Sequence, residues 1–211
     1  MDADIKRPLI ISVSGLDGSG KSSLVRHLSE ISCLQPAIHS KRLLFTQTRK
    51  VFDTYKDSEQ QTGTYIDKNN PLAQAVRYGV LFDALEYFES ELFPLYHHYN
   101  TLILDRWKLD YRAFMLLTHS KEDIEILLAP LPEADLHIYL SVTVETARER
   151  IRRRGSLKED EAPEIMTALT ESYQQVIAES ANQNIIVIPN DDWSITLNKA
   201  TAAIYSLIND Q

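Results

Sequence analysis

Gly15, Gly20, Lys21 and Ser22 stand at the spacing G-x-x-x-x-G-K-S, directly behind the apolar run LIISVS (9–14). Glycines let a backbone curl until successive N–H groups face one anion. A helix opening at Lys21 would add the positive end of its dipole. The loop Gly15, Leu16, Asp17, Gly18, Ser19, Gly20, Lys21, Ser22, Ser23 is therefore expected to cradle the phosphates of ATP. Lys21 should meet the β- and γ-phosphates and Ser22 the Mg²⁺. Asp105 closes the run TLIL (101–104), where a protein with such a loop often places an acid near the metal.

A phosphate loop does not by itself name a function. A GTPase switch needs a guanine-reading N-K-x-D, and NKAT (198–201) lacks the acid. Motor and transporter ATPases bring further domains, and 211 residues leave no room for them. A small phosphotransferase needs positive charge that closes over the moving group. The stretch ARERIRRRG (147–155) supplies it, with five arginines between positions 148 and 154 of an acidic chain. At helical spacing Arg148 and Arg152 share one face and Arg150 and Arg154 another. Guanidinium forks match phosphate oxygens and stay charged. The competing reading is a solvated basic helix face.

The elements that must position these groups follow from periodicity. LIISVS reads as a buried strand, followed by a helix with Leu24, Leu28 and Ile31. AIHSKRLLF (37–45) holds a second strand, and residues 46–70 are polar and poorly periodic, a substrate-covering segment. A long helix begins at Leu72, with Val76, Val80, Ala84 and Phe88 on one face, until Pro94 ends or kinks it. TLILDRW (101–107), DLHIYLSV (135–142) and NIIVIP (184–189) read as strands. Helices are expected at 121–129, from Val144, through Ile165–Val176, and through Leu197–Ile208. Strands spaced by helices imply a parallel five-stranded sheet, α/β, covered on both faces, with ligands beyond its carboxyl ends.

Composition narrows the class. Apolar residues are 44% and charged residues 25%, an ordinary globular balance. Net charge is −8, which argues against non-specific nucleic-acid binding. Cys33 is the single cysteine, so neither an intrachain disulfide nor a cysteine zinc site is available. No stretch approaches the roughly 18–20 apolar residues of a membrane span, and MDADIKRPLI lacks a long signal segment. A soluble cytoplasmic protein without membrane or nucleic-acid partners is expected. His97 and His98 read as surface or packing residues. YFESELFPLYHHY (87–99) reads as helix packing and as a candidate homodimer face.

With these pieces in place, the chain resembles the thymidylate kinase family of nucleoside monophosphate kinases. The resemblance rests on SGLDGSGKSS (14–23), LF (81–82), LDRW (104–107) and ADLHIYLSVTVETARERIRRRG (134–155). SYQQVIAE (172–179) and IIVIPND (185–191) fit in order and spacing. It implies one domain over 1–211 with an arginine-rich lid at about 148–162, built as a P-loop kinase. The loop carries no arginine, so Arg150, Arg152 and Arg154 are the implied lid-supplied catalytic cations. Asp17 corresponds to the acid on the acceptor sugar, Arg106 to the clamp on the acceptor phosphate, and Phe82 to the aromatic that stacks on the base. The family's R-E-P-G-G-T-like stretch has no counterpart between 40 and 70.

Three positions depart from the family. Glu86 stands where thymidylate kinases usually carry a thymine-reading arginine, Asp110 replaces a serine, and Met115 replaces a glutamine. Arginine only donates hydrogen bonds and ionised glutamate only accepts them. An acceptor-only wall of Glu86 and Asp110 suits an amino group such as cytosine N4 better than thymine O4. In the other reading, these carboxylates pair with Arg77 or Arg112 outside the pocket and dTMP remains the acceptor. The expected activity is transfer of the ATP γ-phosphate to dTMP or a modified or cytosine-type pyrimidine nucleotide. A kinase of a small metabolite, a deoxynucleoside kinase and a degenerate nucleotide-binding regulator are the competing classes.

Overall fold

The computed structural model describes residues 7–35, 37–41, 71–155, 162–180 and 184–209. Five parallel strands form one sheet in the order β2-β3-β1-β4-β5. They are β1 (Leu9–Gly15), β2 (Ala37–Lys41), β3 (Thr101–Asp105), β4 (Leu136–Ser141) and β5 (Ile185–Pro189). The central strands β1, β3 and β4 are rich in Ile, Leu and Val because both their faces are covered. The helices are α1 (Lys21–Leu28), α2 (Pro71–Tyr87), α3 (Lys108–Met115), α4 (Lys121–Leu128), α5 (Val144–Arg153), α6 (Pro163–Glu179) and α7 (Trp193–Asn209).

The sheet sorts β1 by alternation. Ile11 and Val13 pack with Leu24 and Leu28 of α1 and Ala200 and Ile204 of α7. Ile10 faces the opposite layer, against Val80 and Ala84 of α2 and Tyr111 of α3. Tyr139, Ile151, Met166 and Tyr173 join β4, α5 and α6 in a third cluster on the side of the site. β1, β3 and β4 end at Gly15, Asp105 and Ser141, so these residues reach one rim as expected. Of the expected second strand, positions 42–45 lie outside the described residues, as does the segment 46–70.

Two local features depart from the periodic reading. The long helix changes register before Pro94: a π-turn runs from Phe88 to Leu92 and a 3₁₀ turn from Phe93 to His97. Proline lacks the N–H that an α-turn would need, and the wider turn absorbs the mismatch. In this stretch Phe88 and Tyr96 pack on the core, while Phe93, His97 and His98 are exposed. The second departure is α3 itself, which the apolar pattern does not reveal. Lys108, Asp110 and Arg112 alternate with apolar residues, yet all three are at least 95% buried.

Pairing makes that burial tolerable. Lys108 Nζ donates to Leu131 O at 2.9 Å and lies 2.6 Å from Glu133 Oε1. Arg112 donates to Glu125 at 2.8 and 3.1 Å and to Glu133 at 2.7 and 3.3 Å. Trp107 Nε1 donates to Pro132 O at 2.9 Å, so the turn before β4 grips both ends of this interaction. On β1, Ser12 Oγ lies 2.6 Å from His137 Nδ1 of β4. Burial alone would raise Glu133, but His137, Arg112 and Lys108 override it and hold the carboxyl well below the usual carboxylate range.

That depressed acidity stabilises the fold above the ordinary carboxylate range, and the contribution is lost as pH falls through the lower folded value. Glu133→Gln should cost about 1 kcal/mol near neutral pH, discounted for a half-exposed side chain. In thermal melts across acid pH, the gap between variant and wild type should close as the pH drops below that range. A gap independent of pH would show that the charge contributes nothing.

Candidate functional site

β1 ends at Gly15 and α1 starts at Lys21, leaving a short glycine-containing loop between them. Gly18 and Gly20 take φ of 82° and 100°, the left-handed region that favours glycine. A Cβ on Gly18 would collide with the backbone carbonyl of Ala147 in α5. The loop is pinned from behind by Asn190, just past β5. Asn190 Nδ2 donates to Ser19 O at 2.6 Å, and its Oδ1 accepts from Thr196 Oγ1 at 2.9 Å.

Lys21 lies across the loop, donating to Gly15 O at 2.9 Å and Leu16 O at 2.7 Å. It is 5% exposed. Burial, and secondarily the charge of Arg106, pushes its ammonium down to about 8 against the opposing pull of Asp17, Asp105 and Asp110. Ser22 Oγ donates to Asp105 Oδ2 at 2.7 Å, so the two residues expected at a metal meet at the ends of β3 and the loop.

A cleft of about 560 Å³ runs from Asp17–Ser23 to Arg150, Arg154, Asp191 and Trp193. Arg150 and Arg154 lie one helical turn apart and line this wall together, the pairing expected from their spacing. Arg150 Nη2 donates to Asn190 O at 2.7 Å. Arg152 is exposed and does not line the cleft, and Arg153 pairs with Glu149. Thr143 caps α5 by accepting from Thr146 N at 3.1 Å. The lid positions 156–161 lie outside the described residues.

Arg106 sits where β3 turns into α3, with φ 79°. A non-glycine residue there costs about 1–2 kcal/mol. Its N–H still donates to Val13 O at 3.0 Å. The guanidinium donates to Asp17 Oδ1 at 2.5 Å, Asp110 Oδ1 at 3.1 Å and Gly15 O at 3.3 Å. Burial would lower its affinity for the proton, but Asp17, Tyr173, Asp110 and Asp105 raise it well above the ordinary arginine value.

The expectation for Asp110 is corrected. Its carboxylate faces neither an acceptor pocket nor Arg77 or Arg112; it is 1% exposed beneath Arg106 and accepts from Ser14, Trp107 N and Tyr173 as well. Arg112 is taken by Glu125 and Glu133, and the Arg77 guanidinium stacks 3.3 Å over the Phe114 ring. Phe82 is 66% exposed on α2, and Glu86, one turn on, is exposed as well. Neither lines the cleft beside the loop. Sequence reasoning passed over Asn190, Ser14 and Tyr173. Tyr173 fits the apolar stripe of its helix, and only the fold reveals its hydroxyl 2.5 Å from Asp110.

The residues present fit a nucleoside triphosphate with Mg²⁺. Glycine backbone, a buried ammonium, Ser22 and the guanidiniums of Arg150 and Arg154 border one cleft, with Asp105 behind Ser22. No family model matches the chain. It is similar to the probable thymidylate kinase of Methanospirillum hungatei JF-1, 27% identical over 188 residues that span 85% of each chain. Among solved structures, the thymidylate kinase from Candida albicans superposes with a TM-score of 0.62 at 20% identity, covering 97% of this chain and 94% of that one. A deoxyadenosine kinase from M. mycoides superposes with a TM-score of 0.64 at 18% identity, covering 94% and 100%.

The lowered Lys21 gives a pH signature. Deprotonation removes the cation, so affinity for ATP, measured by titration of the free protein, should decline as pH rises through about 8. Bound phosphates raise the ammonium again, so saturating ATP should keep the lysine charged to higher pH. Constant affinity across that range would contradict the assignment of Lys21 to the phosphates.

Proposed function

From a chain that is thymidylate kinase-like in sequence and carries the P-loop kinase fold, we propose a nucleoside monophosphate kinase. It moves the ATP γ-phosphate to a pyrimidine nucleoside 5′-monophosphate, either dTMP or a cytosine-type nucleotide. The observation that carries this reading is the convergence of Lys21, Arg106 and Asp17 at one mouth, with Arg150 and Arg154 across the cleft.

In this reading the loop from Gly15 to Ser23 binds the donor's phosphates, and Lys21 neutralises charge at the transferred group. Ser22 and Asp105 are the residues that would hold Mg²⁺, which supplies charge neutralisation at the β- and γ-phosphates when bound. Arg106 anchors the acceptor phosphate in line with the γ-phosphorus, and Asp17 receives the acceptor sugar. An acceptor oxygen attacks the γ-phosphorus while the bond to the β,γ-bridging oxygen breaks and ADP leaves. Phosphate monoesters are largely dianionic at neutral pH, so no general base is needed. Catalysis is then positioning and electrostatics. Arg150 and Arg154, on a lid of about 148–162, close over the site and exclude water, while Arg152, on the other face of α5, reaches it only if the lid turns. Phe82 stacks on the acceptor base with Glu86 one turn further along α2. A glutamate there accepts from an amino group, which supports the cytosine-type alternative beside dTMP.

A panel of nucleoside monophosphates and the matching nucleosides, with ATP and Mg²⁺, tests the reading. Pyrimidine monophosphates should be phosphorylated and nucleosides should not; the reverse would favour a deoxynucleoside kinase. Arg106→Ala should raise the acceptor KM roughly 10- to 100-fold, the loss of a charged hydrogen bond, and spare ATP affinity.

Donor binding has its own readout. Trp193 borders the cleft at 40% exposure, whereas Trp107 is 1% exposed. ATP should therefore change tryptophan emission, and Trp193→Phe should remove the change. A signal that persists in the variant would place the donor elsewhere.

A further inference from the structure

Arg106 is the one non-glycine residue among the described residues with a positive φ. Side chains avoid this region, so surrounding contacts must impose it. Those contacts converge on Asp110, in the first turn of α3. Its Oδ2 accepts from Ser14 Oγ at 2.6 Å and Trp107 N at 3.1 Å. Its Oδ1 accepts from Tyr173 Oη at 2.5 Å and Arg106 Nη1 at 3.1 Å. An ionised carboxylate offers about four acceptor sites, so these donors occupy it fully. The donors come from β1, the turn after β3, the start of α3, and α6. Burial, with the charge of Asp110, keeps the Tyr173 phenol protonated and therefore a donor.

We propose that Asp110 is a positioning residue. It holds Arg106 in its left-handed turn with the guanidinium on Asp17, and so sets acceptor affinity without touching the acceptor. The inference rests on the reading of Arg106 as the acceptor-phosphate clamp. The carboxylate is required for two reasons. It carries the charge that faces the guanidinium in a buried setting. It also presents only acceptors to four donors, whereas the amide of an isosteric asparagine would turn two N–H groups toward them. Tyr173 and Ser14 act through Asp110, each holding one of its two oxygens.

The test is Asp110→Asn, read in two independent ways. In steady-state kinetics the acceptor KM should rise about 10- to 100-fold, the scale of a misplaced binding group, with ATP affinity within about twofold of wild type. In its crystal structure Arg106 should relax to a negative φ or its guanidinium should leave Asp17. Tyr173→Phe should shift the acceptor KM in the same direction by less, and the double variant should match Asp110→Asn alone, since both changes act on one contact. An unchanged acceptor KM, Arg106 unmoved in the crystal, or additive effects in the double variant would each overturn the proposal. Should Asp110→Asn not fold, Tyr173→Phe and Ser14→Ala carry the same two readouts. If the wild-type chain phosphorylates no nucleoside monophosphate, the clamp reading fails instead, and the position of Arg106 in the variant crystal still decides the positioning claim.

Discussion

The guanidinium of Arg106, shared between Asp17 and Asp110, is the contact on which the geometry of the site depends. It joins the loop after β1, the turn after β3 and the first turn of α3. These segments reach the same rim because the strands run parallel, so their carboxyl ends open in one direction. A buried guanidinium loses hydration, and two carboxylates with a backbone carbonyl replace it. The left-handed turn at Arg106 is the local cost of bringing the side chain there.

The layer beneath follows the same logic. α3 is a helix of buried charges set against the polar residues of β1. Ser14 meets Asp110, while Ser12 meets His137. On either side of Asp110 in the chain, Lys108 and Arg112 reach Glu133, which stands just before β4. The charges of α3 are therefore divided: its acid supports the site and its bases fasten the turn that leads into the next strand. Replacing them with apolar residues of equal size would preserve packing volume but dissolve the link between the sheet and Arg106.

The positions of the glycine loop, the strand-end Asp105, the pair Arg150 and Arg154 and all five strands were legible because each is a local signal: a fixed spacing, an apolar run, or a helical period. α3 was not legible, because its charged residues are buried by partners distant in the chain and leave no apolar stripe. The direction of Asp110 was hidden for the same reason. A substitution of serine by aspartate at the edge of a base pocket reads as a change of specificity. Only the approach of Ser14 and Tyr173 shows that the carboxylate points downward. Asn190 was invisible because the contact that matters, to Ser19, comes from 171 positions away in the chain.

The bare backbone of Gly18 against the carbonyl of Ala147 has a mechanical consequence. Main chain rests on main chain there, so the loop tip sets how closely the helix that bears the arginines can approach. Position 18 has no latitude: even one methyl group would act as a wedge. The loop and the helix that carries Arg150 are thus fitted to each other through a contact that leaves no room for a side chain.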